Sequence, residues 1–225
     1  QNVSYYSHIF KKLKIKEQDL FSPQILTILP VLDKSIIRKN YNKLRASNIV
    51  EHRAQRNSTS GSTGTPLHLI IDNSTKAHKL AAVLRAYQWA GYFPGKRTFS
   101  IQSYTFKDPK AIVKRYPVAN LWRFNSKLLK HDTALEILSM INDIKPHVII
   151  GYPFSILMIS QVARQKGIEI HPVESIITAG ETLSGQRRQL LKEAYKCKVH
   201  DFFSHHEDVA VISECHHGNK HIFEN

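Results

Sequence analysis

The chain is poor in cysteine: Cys197 and Cys215 are its only two. Two thiols cannot build the disulfide framework of a small secreted domain, so a reducing compartment, the cytoplasm, is expected. Long apolar runs are missing as well. The longest candidate, Val148 to Ile159, is broken by Gly151 and Pro153 and falls short of the roughly 20 residues that cross a bilayer. No signal peptide opens the sequence, and no membrane partner is expected. An initiator methionine is also lacking, so the natural protein is expected to begin earlier. No internal repeat is evident, which sets aside solenoids and propellers. A P-loop is excluded too, because Gly64 is followed by Thr65 and Pro66 and not by Lys-Ser/Thr.

What is present is ordinary for a globular protein, with 42% hydrophobic and 22% charged residues over 225 positions. That length buries one substantial core or two small ones. The balance of charge is less ordinary. Lys and Arg number 32 against 18 Asp and Glu, a net charge of +14. Such a surface concentrates anions, among them nucleotides, CoA and nucleic acid. The charge forms no single stripe. Its densest run, Lys11-Lys12-Leu13-Lys14, reads as a solvated helix face. A nucleic-acid-binding protein is therefore an alternative that rests on charge alone.

One segment carries more chemistry than composition does. In Ser58-Thr59-Ser60-Gly61-Ser62-Thr63-Gly64-Thr65-Pro66, six of nine residues bear hydroxyls and two are glycine. Glycine lets successive N–H groups point at one spot, and short hydroxyls add donors that reach phosphate oxygens. The loop is suited to wrap a polyphosphate. The alternative is a flexible linker, but the apolar run Leu67 to Ile71 follows at once, as a strand would.

Residues 1–50 read as short helices and turns. Tyr5, Tyr6, Ile9, Phe10 and Leu13 recur at helical spacing, and Asp33 is placed to cap a helix from Ser35 to Leu44. Residues 51–145 read as a first α/β subdomain: the strand Leu67 to Ile71, a helix from Thr75 to Ala90 ended by Gly91, and a strand from Arg97 to Ser103. Residues 104–130 read as irregular and basic, and a helix runs from Thr133 to Ile144. Residues 146–225 form a second subdomain: strand 147–150, helix 154–166, strand 173–178, helix 184–195, strand 198–203. This βαβαβ rhythm predicts a parallel sheet covered on both faces. Ligands of such sheets bind beyond the carboxyl ends of the strands. Three predicted strand ends carry conspicuous residues: Gly151-Tyr152-Pro153, Thr178-Ala179-Gly180-Glu181-Thr182-Leu183, and Asp201-Phe202-Phe203-Ser204-His205-His206-Glu207.

These segments together resemble one family. Thr59 to Pro66 fits the phosphate loop of adenylate-forming enzymes, roughly Thr-Ser-Gly-Ser/Thr-Thr-Gly-x-Pro, at every defined position. Many relatives carry a lysine after the proline; the phenylacetate–CoA ligase branch often does not, and here Leu67 follows. Val3-Ser4-Tyr5-Tyr6 and Leu29-Pro30-Val31-Leu32-Asp33-Lys34 resemble the start of phenylacetate–CoA ligase-like proteins. Thr178, Gly180, Glu181, Leu183 and Arg188 sit in the register Thr-x-Gly-Glu-x-Leu-x-x-x-x-Arg of that branch and of related capsular polysaccharide biosynthesis proteins. Val199, Asp201 and Glu207 match Val-x-Asp-x-Tyr-Gly-x-Ser/Thr-Glu, and Glu214-Cys215 a later Glu-Cys.

The resemblance implies an α/β fold, the N-terminal adenylation-domain fold with parallel βαβ layers, without the small C-terminal lid domain. It implies a two-step ligase that takes a carboxylic acid, ATP, Mg²⁺ and CoA or another thiol acceptor. The acid's carboxylate attacks the α-phosphate, pyrophosphate leaves, and a thiol then takes the acyl group. Thr59, Ser60, Gly61, Ser62, Thr63, Gly64 and Thr65 would hold the phosphates. Ala179, Gly180, Glu181, Phe202 and Phe203 would line the adenine and nucleotide side, and Tyr152 and Pro153 the acyl pocket. Glu207 would be the carboxylate on Mg²⁺, and His206 would stand where the family has a hydroxyl on the α-phosphate. Some relatives show a cysteine and a later histidine suited to zinc, and Cys215 and His221 fit that placement, giving a candidate structural Zn²⁺.

Two departures bear on activity. Ser204 replaces a family glycine, and His206 replaces the family hydroxyl. They leave open a non-catalytic nucleotide-binding relative. The family's ribose-binding aspartate, its hinge and its lid lysine are expected beyond Asn225, so the chain reads as an N-terminal fragment.

Overall fold

The computed structural model describes residues 2–50, 53–58, 66–108, 111–205 and 210–224. The chain divides into two compact units, Gln1–Ala77 and His78–Asn225.

The first unit holds helices α1 (Ser4–Lys12), α2 (Ile25–Ile28), α3 (Lys34–Lys39) and α4 (Tyr41–Leu44), then strands β1 (Ala54–Ser58) and β2 (His68–Asp72). Asp33 caps α3 as expected, its carboxylate accepting from Ile36 N at 2.7 Å. The predicted continuous helix to Leu44 is instead split at Asn40. There the backbone leaves helical geometry (φ −112°), and the Asn40 amide donates back to Ile36 O at 3.0 Å. Asparagine commonly offers the chain this local alternative to helix continuation. Strands β1 and β2 pair antiparallel, with Ser58 opposite His68.

The second unit is built on an eight-stranded sheet. Its strands are β3 (Thr98–Gln102), β4 (Val113–Tyr116), β5 (Leu121–Asn125), β6 (Val148–Gly151), β7 (Ser175–Thr178), β8 (Lys198–Ser204), β9 (Ala210–Glu214) and β10 (Lys220–Glu224). The spatial order is β10-β9-β8-β7-β6-β3-β5-β4. Strands β8, β7, β6, β3 and β5 run parallel, while β4, β9 and β10 add antiparallel edges. The parallel βαβ core expected from the sequence is present. Residues 104–130, expected to be irregular, contain the β4–β5 hairpin. Its Pro117–Asn120 connection closes through Asn120 at φ +48°, a left-handed conformation that asparagine tolerates.

Helices α6 (His131–Ile144), α7 (Pro153–Lys166) and α8 (Gly185–Tyr195) cover one face. Ile137, Ile141, Ile156, Ile159 and Tyr195 are sealed there against Phe99, Ile101, Phe124 and Ile176. Local signals explain the boundaries: Pro153 opens α7 at its first position, Ser184 caps α8, and Gly167 ends α7 at φ +65°. The other face is covered by α5 (Asn73–Trp89) from His78 onward. Ala82 and Ala86, one turn apart, together with Ala90 just past the helix end, let it lie close over Val148, Ile150 and Ile177. Cys197 joins the first core. Burial pushes its thiol up to about 12, and Cys215 is buried at the end of β9. No helix among the described residues is long and apolar enough to cross a membrane.

The β8–β9–β10 edge is tied by ions. Arg188 grips Glu214 with two bonds, 2.8 and 2.6 Å, and donates to Val199 O at 2.6 Å. Glu214 also accepts from Asp201 N at 3.0 Å, and Lys220 reaches the Asp201 carboxylate at 2.8 Å. Burial pushes the Glu214 carboxyl up, but the Arg188 and Asp201 contacts outweigh it and hold the group below the ordinary glutamate value of 4.5. The pair therefore adds stability above the unfolded-state value and loses it as pH falls through the lower folded-state one. Glu214→Gln should lower stability by about 2 kcal/mol at pH 7. Urea unfolding as a function of pH should show a weaker acid dependence in the variant than in the wild type.

Candidate active site at the strand ends

Register fixes what lies at the carboxyl end of the parallel core. Ile101, Gly151, Thr178 and Asp201 stand in one row across β3, β6, β7 and β8. Tyr152, Ala179-Gly180-Glu181 and Phe202-Phe203 follow that row on adjacent strands. The strand-end residues of the second unit, from Ile101 to Phe203, are thus brought together although about 100 positions separate the first from the last.

Their contacts are specific. Gly180 adopts φ +78°, and a β-carbon there would come within 2.6 Å of the Tyr152 ring. The ring packs against the glycine backbone, with no room for a side chain. The Tyr152 hydroxyl accepts from Ser103 N at 3.3 Å, which fixes the ring from the β3 side. Ala179 N donates to Gly151 O at 3.0 Å, joining the two turns. The Glu181 carboxylate accepts from Phe154 N at 3.1 Å, in the first turn of α7, where the helix dipole favours an anion. Pro153 is buried as the first residue of that helix.

The two phenylalanines differ. Phe202 is buried, its ring 5.1 Å from that of Tyr87 on α5. Phe203 is 54% exposed at the end of β8, its ring 6.2 Å from that of His205. Just beyond, His205 O accepts from Lys79 Nζ at 3.0 Å, anchoring the segment after β8 to α5. Thr178 is buried and donates to His200 O at 3.2 Å. Burial also lowers the His200 imidazole below its ordinary value, so this ring is neutral at pH 7. Arg188, Asp201 and Glu214, matched in the sequence pattern but given no role there, form the ion network beneath these strand ends.

Thr59, Ser60, Gly61, Ser62, Thr63, Gly64, Thr65, His206 and Glu207 lie outside the described residues. Zinc finds no ligand set: among the described residues, no three His, Cys, Asp or Glu side chains cluster. His221 instead lies edge-on to Trp89, with ring centroids 5.1 Å apart.

The sequence reading missed residues in the β4–β5 hairpin and its approach. Ser100, Gln102, Tyr104, Tyr116 and Arg123 meet on the face of the sheet that α5 covers, near the end of β3. The available signal was the aromatic-rich pair Val113–Tyr116 and Leu121–Asn125 around a Pro-x-x-Asn turn. A cavity of about 670 Å³ lies within the first unit, lined by Tyr41, Arg53, His68 and Asp72 among others. None of the strand-end residues lines it.

The chain resembles solved structures of CoA ligases. An open conformation of 2-hydroxyisobutyryl-CoA ligase, in complex with 2-HIB-AMP and CoA, superposes with a TM-score of 0.73 over 98% of this chain and 54% of that one, at 14% identity. This is the fold of the N-terminal domain of adenylate-forming ligases. The same ligase in its thioesterification state gives 0.72 over 98% and 49%, at 15% identity. The anthranilate CoA ligase AuaEII with anthranoyl-AMP gives 0.52 over 73% and 31%, at 18% identity. The chain spans about half the length of the first of these ligases. At such identities the likeness speaks to the fold. No family model matches the chain, and no curated protein matches it.

Gly180→Ala should cost about 2 kcal/mol, from the left-handed backbone and the collision with Tyr152. Adding Tyr152→Ala should recover part of that loss. Urea unfolding of both variants and the pair gives the coupling, and strict additivity would show that ring and glycine are independent.

Proposed function

We propose that this protein activates a carboxylic acid with ATP, forming an acyl-adenylate and pyrophosphate, and that the acyl group passes to CoA. The observation that supports the reading is the row of strand ends, where Gly151-Tyr152, Thr178 to Glu181 and Asp201 to Phe203 lie on adjacent strands of a fold shared with CoA ligases. Phe203 supplies the exposed ring for adenine. Gly180 and Ala179 present backbone beside it, and Glu181 is held by the start of α7. Tyr152 and Pro153 shape the acid side. Thr59 to Thr65 supply donors for the phosphates, which would hold pyrophosphate in line as it leaves. Mg²⁺ held by Glu207 would offset the charge on the phosphates. The phenylacetate–CoA ligase-like branch, including capsular polysaccharide biosynthesis proteins, is the nearest sequence pattern. The chain is read as the N-terminal part of a longer enzyme whose remaining domain completes the second step.

The chemistry is demanding at one place. Ser204 stands where the pattern has glycine, and His206 where it has a hydroxyl. Imidazole also donates a hydrogen bond and more strongly when protonated, so His206 can serve the α-phosphate. These two positions favour a second reading, a nucleotide-binding relative without turnover.

Labelled pyrophosphate should exchange into ATP only when an acid is present. Phe203→Ala should weaken ATP binding about five-fold, the loss of one stacking contact of about 1 kcal/mol. Tight ATP binding without exchange, unchanged by Ser204→Gly with His206→Thr, would establish the non-catalytic reading instead.

A further inference from the structure

Arg123 carries a buried Nε, unpartnered among the described residues, close to the end of β3. It lies on β5, opposite Ser100 on β3 and Lys114 on β4, so the three side chains share one face of the sheet. Its guanidinium carbon sits 5.0 Å from the Tyr104 ring centroid and 4.8 Å from that of Tyr116. The Nε atom is buried and has no hydrogen-bond partner among the described residues. No carboxylate of the described residues forms an ion pair with it. A half-buried guanidinium is seldom left so: cation–π contacts hold the plane but leave its N–H edge open.

The surroundings connect this edge to the acid side of the site. The Tyr104 hydroxyl donates to Gln102 Oε1 at 2.9 Å and lies 2.6 Å from Ser100 Oγ. Burial raises the Tyr104 phenol above its ordinary value, against the opposing pull of Ser100 and Arg123, so it stays neutral at pH 7. The preceding residue, Ser103, holds the Tyr152 hydroxyl. Lys114 adds a second cation, its ammonium 5.2 Å from the same Tyr116 ring. Two cations, one a planar fork, match a planar carboxylate end better than an apolar tail.

We propose that Arg123, aided by Lys114, receives a second carboxylate on the acid substrate, so that the protein takes short dicarboxylic acids in preference to plain monocarboxylic ones. This rests on the acid-activation reading. Arg123 is a specificity residue: it binds the end of the substrate remote from the reacting carboxylate.

The test has two arms on the full chain. Calorimetric titration without ATP uses succinate, butyrate and inorganic phosphate as probes. Succinate should bind at least ten-fold tighter than butyrate, and Arg123→Met should abolish that difference, with Lys114→Met reducing it. Pyrophosphate exchange with the same acids should show the same order in kcat/KM. Thermal unfolding should find Arg123→Met at least as stable as the wild type, since the orphaned Nε is removed; a residue with a purely structural role would lower it. Arg123→Lys provides a folded variant that keeps the charge and loses the fork, and it should fall between the two. Succinate binding that depends on Arg123, with no exchange from any acid, would remove the activation reading and leave the anion site standing. Equal binding of succinate and butyrate, or Arg123-dependent binding of phosphate alone, would overturn the dicarboxylate proposal whatever the exchange assay gives.

Discussion

Gly151 has no side chain because none fits. A β-carbon there would lie 2.7 Å from Ile101 O and 3.3 Å from Ile156 Cδ1. The close approach of β6 to β3 and to α7 is what sets Tyr152 just past the row of strand ends and starts α7 at Pro153. From there the geometry propagates in register: Gly151 beside Thr178, Thr178 beside Asp201. Parallel pairing gives no freedom to slide, because a one-residue slip would turn Ile149 and Ile176 out of the helix-covered core. The position of the candidate site is thus a consequence of how tightly the middle of the sheet is packed.

The two sides of this sheet have different tasks. Three helices seal one face with large aliphatic and aromatic residues. The other face is covered by α5, whose alanines bring it close and whose Tyr87 reaches Phe202. Polar residues gather on that second face where the alanine-lined cover ends, at Ser100, Gln102 and Tyr104. Beneath the end of β8, Arg188 and Glu214 hold β8 to β9 and α8 through charge-assisted bonds at low exposure. A rigid frame of this kind is what catalysis by positioning requires, since small displacements of reacting groups are costly.

Much of the second unit was legible in the sequence. Strand–helix alternation from His147 onward gave element types and order, because parallel strands buried on both faces read as continuous apolar runs. The helix bounds 154–166 and 184–195 fall within one residue of those observed, Pro153–Lys166 and Gly185–Tyr195. The hairpin at Val113–Asn125 was hidden because its edge strand is short and rich in Lys and Arg, a composition that edge strands use against aggregation. Asn40 hid the break between α3 and α4, since periodicity continues across it. Of the residues that the family pattern named, Tyr152 packs against Gly180, Phe203 is exposed and Phe202 is buried against Tyr87. Arg123 lies in that same hidden hairpin, and its interest comes from the Tyr104 and Tyr116 rings that flank it.

Neither thiol of the chain is exposed. Cys215 is buried at the end of β9, and Cys197 is half-buried, where burial pushes its thiol up to about 12. Alkylating agents need an accessible thiolate, so enclosure slows them at Cys215 and the raised thiol slows them at Cys197. A cysteine introduced at an exposed position would become the single fast-reacting handle for a maleimide fluorophore, with no need to mutate the native pair.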